Sequence, residues 1–271
     1  MTQHETIQVE LADHVATVTL NRPERANAME ETMWHELRAA MQWADATPAA
    51  RCVILRGAGR HFTSGIDLAM LASLGSRIAD EDEARGREKL RRVILELQDC
   101  LSAIERCRKP VLAAIHGACI GGGIDLITAC DMRYCAADAR FSVREIDVGM
   151  TADVGTLQRL PRLIGEGMAR ELAYTGRSFD AAEAVAMRLV NRAFDSPEAL
   201  QSGVREIAAT IAAKSPLAIR GCKEMITYAR DHPVADGLNY IATWNAAMLM
   251  SKDLVEAGRA AAEKRAPKFA D

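Results

Sequence analysis

Gly121-Gly122-Gly123-Ile124-Asp125 follows directly on the apolar run 110–120, and two more acids, Glu145 and Asp153, stand 23 and 31 residues beyond Gly122. Three glycines at a strand-to-helix junction free backbone N–H groups to point at an anion at a helix N-terminus. Acids downstream of such a turn suit proton transfer beside a carbonyl whose developing charge the turn holds. Each feature taken singly has a plainer role. The triplet fits close packing of helix on strand as readily, and it lacks the Lys and Ser/Thr of a phosphate loop and the dinucleotide fingerprint spacing. Asp125 alone is favourable charge in a first helical turn, and Glu145 and Asp153 alone are solvated loop acids. His116 ends an apolar strand and reads as a core histidine, while Arg159 and Arg162 read as partners of nearby acids.

A second glycine loop shifts the balance. His61-Phe62-Thr63-Ser64-Gly65-Ile66-Asp67-Leu68 follows a short apolar strand at 52–56 and the turn Gly57-Ala58-Gly59. Two glycine loops that both leave strands can bring two N–H groups to one carbonyl oxygen. Each such donor is worth about 2.7–4 kcal/mol to an enolate-like transition state.

The elements that must position these groups follow from periodicity. Residues 7–11 and 15–20 read as a β-hairpin around Ala12-Asp13-His14, and 28–45 as an amphipathic helix. The stretch 80–92 mixes both charge signs and reads as a solvated helix face, continuing into an apolar-periodic run at 93–104. Residues 110–116 form the next strand, 124–130 a helix, and 132–136 and 140–143 two more strands. Such repeated strand, strand, helix units predict an α/β domain. From about residue 180 the pattern turns mainly helical, with a capping box at Asp180–Glu183 and Ser-Pro starts at 196–197 and 215–216. A last helix falls near 251–264. Pocket walls come partly from residues 69–101, whose placement the pattern leaves open.

Composition narrows the function classes. The 271 residues are 49% hydrophobic but 4% aromatic, which predicts an aliphatic core, and the net charge of -3 argues against nucleic acid as a partner. No apolar stretch approaches the ~20 residues of a membrane helix, so no membrane partner is expected. Seven cysteines without a CxxC pair, and histidines without HxxxH spacing, predict no metal site and free thiols in a reducing compartment. Neither end reads as a signal, transit or peroxisomal address, so the expected location is cytoplasmic.

Four segments carry a resemblance. Asn21-Arg22-Pro23-Glu24-Arg25-Ala26-Asn27-Ala28-Met29, the stretch 57–68, the stretch 114–125 and the ending 262–269 resemble signatures of the enoyl-CoA hydratase/isomerase (crotonase) superfamily. They span nearly the whole chain. The resemblance implies an α/β fold, a crotonase-like spiral of repeated ββα units with a C-terminal helical region. It divides the chain into a core with the CoA and catalytic site at 1–195 and a helical region for trimerisation at 196–271, and implies a trimer or hexamer. It implies an oxyanion hole from the N–H groups of Ile66 and Gly122. Arg25, Ala26, Ala28, Ser64, Gly65 and Asp67 would bind the CoA substrate, with no cofactor beyond the coenzyme A that the substrate carries.

The acids select a branch by the same resemblance. Hydratases of the family lack an acid at position 153, whereas Asp125, Glu145 and Asp153 together resemble the three acids of the delta-3,5-delta-2,4-dienoyl-CoA isomerase branch. That branch implies conversion of 3,5-dienoyl-CoA to 2,4-dienoyl-CoA in fatty-acid beta-oxidation. A proton moves from carbon 2 to carbon 6 through a dienolate. Glu145 would take the first proton, Asp153 would give the second, and Asp125 would tune the pair. Three alternatives stand beside it. One is an enoyl-CoA hydratase activating water with Asp125 and Glu145. Another is an aryl-CoA dehalogenase, which needs a histidine near the position where Gln98 stands. The last is a non-catalytic CoA-binding homologue.

Overall fold

Asp13 and His14 both take a positive φ, 50° and 63°, and reverse the chain between β1 (Ile7–Ala12) and β2 (Val15–Leu20), which pair antiparallel. Beyond this hairpin the main sheet is parallel. β2 is followed by α1 (Glu31–Ala46), β3 (Cys52–Gly57), α2 (Leu68–Ile78), α3 (Glu83–Arg106) and β4 (Val111–Ile115). A second, smaller sheet begins at β5 (Ala118–Ile120), and α4 (Gly122–Thr128), β6 (Met132–Ala136) and β7 (Arg140–Ser142) follow. Next come α5 (Thr156–Ile164), α6 (Glu166–Thr175), β8 (Phe179–Asp180), α7 (Ala181–Ala186) and β9 (Arg192–Phe194). Four helices close the chain: α8 (Pro197–Ala212), α9 (Pro216–Tyr228), α10 (Val234–Met248) and α11 (Lys252–Ala262). This computed structural model describes residues 4–271.

The six-stranded sheet runs β1-β2-β3-β4-β6-β9 and the three-stranded sheet β5-β7-β8. β2 and β4 are buried along their whole length, as expected of strands covered on both faces and made of near-continuous apolar residues. One face packs against Trp34, Leu37 and Met41 of α1 and Leu101 and Ile104 of α3. The other packs against Leu200, Val204, Ala208 and Ala212 of α8. The helix that opens the C-terminal region therefore lies on the sheet, while α10 buries no residue and exposes Val234 and Leu238.

Most elements fall where periodicity places them, including the caps. Asp180, Ser196, Ser215 and Ser251 each accept a hydrogen bond from an amide of the first turn that follows. The charged stretch 80–92 is the outer half of α3, carrying i,i+4 ion pairs between Glu83 and Arg87 and between Glu88 and Arg92. Residues 69–101 resolve into α2 and most of α3, which turn their apolar sides toward the site. After residue 180 the chain is mainly helical, with one short strand among the helices. β9 is a sheet strand, pairing Tyr134 with Arg192 and Ala136 with Phe194, and its three residues are too few to show a strand period.

Candidate active site

Two backbone turns meet at the carboxyl ends of the parallel strands. Gly121 takes φ +53° and gives its N–H to Ser142 O at 2.9 Å, and Gly122 then opens α4. Gly65 takes φ +92° in the loop after β3. A Cβ on Gly65 would stand 2.6 Å from Ile120 O and 3.2 Å from Gly122 N. Only a residue without a side chain lets these turns touch. The loop is fastened to the entry of α1 by Met29 N donating to Gly65 O at 2.8 Å and Asp67 N donating to Met29 O at 3.0 Å. Thr63 Oγ1 accepts from Gly65 N at 3.1 Å and donates to Asn27 O at 2.7 Å. The amides of Ile66 and Gly122 donate to no acceptor among the described residues, and both residues line one cavity of about 270 Å³. Two free donors that converge on one cavity are the arrangement an oxyanion needs.

The three acids line that same cavity. Glu145 starts a 3-10 turn, Glu145–Val148, directly beyond β7. Its Oε1 lies 3.4 Å from the Cβ position of Gly121, so the carboxyl rests against the oxyanion turn, and its Oε2 is buried without a partner. Asp125, the fourth residue of α4, is fully buried; its Oδ1 accepts from Thr156 N at 2.6 Å. Asp153 is half-buried on the segment before α5, and Gln98 Nε2 donates to its backbone carbonyl at 2.7 Å.

Electrostatics give the acids a shared property. Burial raises the Asp125 carboxyl above its ordinary range, the Thr156 hydrogen bonding opposes this, and the charge of Asp153 adds to it. Burial raises Glu145 as well, with the charge of Asp125 next in weight. Burial also raises Asp153, partly offset by its own amide. Like charges in a poorly solvated site cannot all ionise together. The trio therefore retains a proton at a pH where free carboxyls have lost theirs, which a general acid requires.

The residues expected to bind the CoA portion divide by role. Arg25 is exposed at the end of a 3-10 turn, Pro23–Arg25, and Ala26 follows with φ 50°. Ala26 O accepts from Ser64 N at 2.9 Å, which joins the two loops, and Ser64 itself is exposed beside the half-buried Ala28. Asp67 has a structural task. It caps α2 through Ala69 N at 2.9 Å and takes Arg22 Nη1 at 3.1 Å, and that arginine holds its carboxyl below the usual range.

Several contributors escaped sequence reasoning. Asn27 is wholly buried; its Nδ2 donates to Ala58 O and His61 O, each at 2.8 Å, and its Oδ1 accepts from Arg22 N at 2.9 Å. Trp34, Leu71, Leu74, Leu90, Val93 and Leu97 wall the cavity, and the i, i+3, i+7 spacing of 90, 93 and 97 was the available signal for α3. Arg159 does not pair locally. It reaches Glu105 Oε2 on α3 at 3.2 Å. His116 is buried, with Nε2 2.9 Å from Gly59 O, as a core histidine should be.

Known proteins agree with this geometry. The sequence model described as enoyl-CoA hydratase/isomerase matches residues 10–271. The chain is 50% identical over 252 residues to the peroxisomal delta(3,5)-delta(2,4)-dienoyl-CoA isomerase of Arabidopsis thaliana, covering 93% of this chain and 91% of that one. It is 46% identical over 264 residues to the mitochondrial delta(3,5)-delta(2,4)-dienoyl-CoA isomerase of Homo sapiens, covering 97% and 80%. Among solved structures, enoyl-CoA hydratase from Bacillus anthracis superposes with a TM-score of 0.89 at 33% identity, covering 98% of this chain and 99% of that one. The cytoplasmic expectation does not stand against relatives named peroxisomal and mitochondrial. Six of the seven free cysteines are buried, and buried thiols report shielding by the fold rather than an address.

Proposed function

Because the chain belongs to the enoyl-CoA hydratase/isomerase family, we propose that it is a delta(3,5)-delta(2,4)-dienoyl-CoA isomerase acting through two carboxyls and a backbone oxyanion hole. One observation carries the reading. Glu145 rests against the Gly121–Gly122 turn, while Asp153 faces the same cavity from a separate segment. With the thioester oxygen on the Ile66 and Gly122 amides, Glu145 stands beside carbon 2, the carbon next to the carbonyl. It removes that proton, and the electron pair enters a dienolate whose charge the two amides hold. Asp153 then gives its proton to carbon 6, which leaves the 2,4-diene. The cycle closes when the proton now on Glu145 is lost and Asp153 regains one.

The acyl chain itself helps to set the protonation states. Seated in the cavity, it removes solvent from the half-exposed Asp153, and desolvation favours the neutral acid. Asp125 adds its charge to the burial that raises Glu145, while Asp153 is raised by its own burial. The reaction is redox-neutral, so the only cofactor needed is the coenzyme A of the substrate. Exposed apolar residues on α9, α10 and α11, among them Ile226, Val234 and Val255, support self-association as a trimer or hexamer.

The test is the appearance, from 3,5-octadienoyl-CoA, of the absorbance of a 2,4-diene conjugated with the thioester carbonyl. Wild type is expected to be active, and Asp153→Asn and Glu145→Gln should each lose about 10²–10⁴-fold in kcat, the usual worth of a general acid or base. Full isomerase activity in Asp153→Asn would sink the two-acid scheme. An enzyme that instead consumes 2-enoyl-CoA absorbance, and leaves the dienoyl substrate alone, would be a hydratase.

A further inference from the structure

Residues 151–154 carry one catalytic acid, yet they make no backbone–backbone hydrogen bond among the described residues. This unpaired segment lies between the 3-10 turn of Glu145 and the start of α5, whose Thr156 amide holds Asp125. Besides Asp153's own amide, one group bonds to Asp153: Gln98 Nε2, on the cavity-facing half of α3, donating to the Asp153 carbonyl at 2.7 Å. Only the amide nitrogen of a glutamine can donate to a carbonyl oxygen, so the orientation of this side chain is fixed by chemistry.

The position of the tether adds to its importance. Val154 lines two cavities at once, the acyl cavity and a polar cavity of about 540 Å³ on the other side of the segment, into which Gln98 faces. The backbone around Asp153 is thus a thin partition with open volume on both sides. Ala152 and Val154 on either side of Asp153 are buried, so the side chains are packed while the segment's main chain bonds to no other main chain among the described residues.

We propose that Gln98 is a positioning residue of the isomerase, setting the reach of Asp153 toward carbon 6 by holding its main-chain carbonyl. The inference rests on the isomerase reading. Gln98 touches neither substrate nor proton; it determines where the acid stands when the dienolate forms. Its loss should therefore appear in kcat rather than in KM.

Two variants separate positioning from bulk stability. Gln98→Met keeps the length of the side chain and removes the donor. Gln98→Glu replaces the donor by a carboxylate that repels the carbonyl when ionised and donates to it when protonated. The charged groups around position 98 are Asp153 on one side and Glu105, Arg159, Arg162, Arg230 and Asp231 in the polar cavity, and they are the same in both variants. With 3,5-octadienoyl-CoA, Gln98→Met should lose about tenfold in kcat at nearly unchanged KM, the worth of one well-placed hydrogen bond. Gln98→Glu should lose more at alkaline pH, and its kcat relative to wild type should rise as the pH falls. Melting temperatures are measured in parallel.

Wild-type kcat in Gln98→Met would overturn the inference and leave the isomerase reading standing. So would losses in both variants that follow their melting temperatures and show no pH-dependent recovery in Gln98→Glu. A wild-type enzyme inactive on the dienoyl substrate would overturn both.

Discussion

Replacing Gly65 by alanine should disable the site without altering an acid. At φ +92° a side chain is strained, at a cost on the order of 1–3 kcal/mol. The larger effect is geometric. The new Cβ would lie 2.6 Å from Ile120 O, and ordinary contact begins at 3.4 Å, so the two turns must part by roughly 0.8 Å. A misplacement of about 1 Å at a reacting centre costs about 10²-fold, which also lies within the 10²–10³ reported for losing one oxyanion donor. We expect kcat for conversion to the 2,4-diene to fall by about 10²-fold, or about 2.7 kcal/mol of barrier, with a smaller change in KM. The assay is the initial rate with 3,5-octadienoyl-CoA across substrate concentrations, with thermal melting to confirm folding. Gly75→Ala is the matched control. Gly75 is exposed in α2 with nothing within 4 Å of its Cβ position, so that variant should keep its activity and gain about 0.5–1 kcal/mol of stability. A folded Gly65→Ala protein with wild-type kcat would show that the Ile66 and Gly122 amides do not hold the reacting oxygen.

Three further outcomes follow from the same site. Glu145 must be ionised to take a proton and burial raises its carboxyl, so kcat/KM should fall on the acid side at a pH well above the ordinary glutamate value of about 4.3; an acid limb at that ordinary value would contradict the assignment. Burial also raises the Asp125 carboxyl, so the folded state binds more protons than the unfolded chain between about pH 4 and neutrality, and stability falls as pH rises through that window. Asp125→Asn should keep the acceptor for Thr156 N, lose activity, and melt higher than wild type at pH 8 with a flatter pH dependence; an unchanged slope would refute this. Asn27→Ala abandons three part-buried hydrogen bonds and should cost about 3 kcal/mol by chemical denaturation, and a loss within experimental error would show that the loop at 22–28 is held by other means.

What could be read from the sequence was local. The glycine triplet, the second glycine loop and the spacing of Asp125 and Glu145 all lie beside the strand ends that present them, and short-range pattern captures such arrangements. The caps at Ser196 and Ser215 were legible for the same reason, since a cap is an interaction within one turn. What escaped was set by contacts between distant segments. Arg159 finds Glu105 54 positions back along the chain, and Gln98 meets Asp153 55 positions on. β9 exists because β6 offers it an edge, not because its three residues demand extension. Asp67 is expected to bind the substrate only by resemblance, and the sequence does not reveal that its carboxylate also bonds Arg22 and Ala69.

In the proposed scheme the oxyanion is held by main-chain N–H groups, while the proton chemistry falls to side chains on three separately anchored segments. Substitution touches these two parts unequally. Apart from proline, which lacks the N–H, and changes at the glycines that let the turns meet, a substitution leaves these amides in place. The acids can be gained, lost or moved one segment at a time while the amides remain. A protein named as a hydratase can therefore share this backbone at a TM-score of 0.89 while the acids around the cavity differ in what the proposed scheme asks of them.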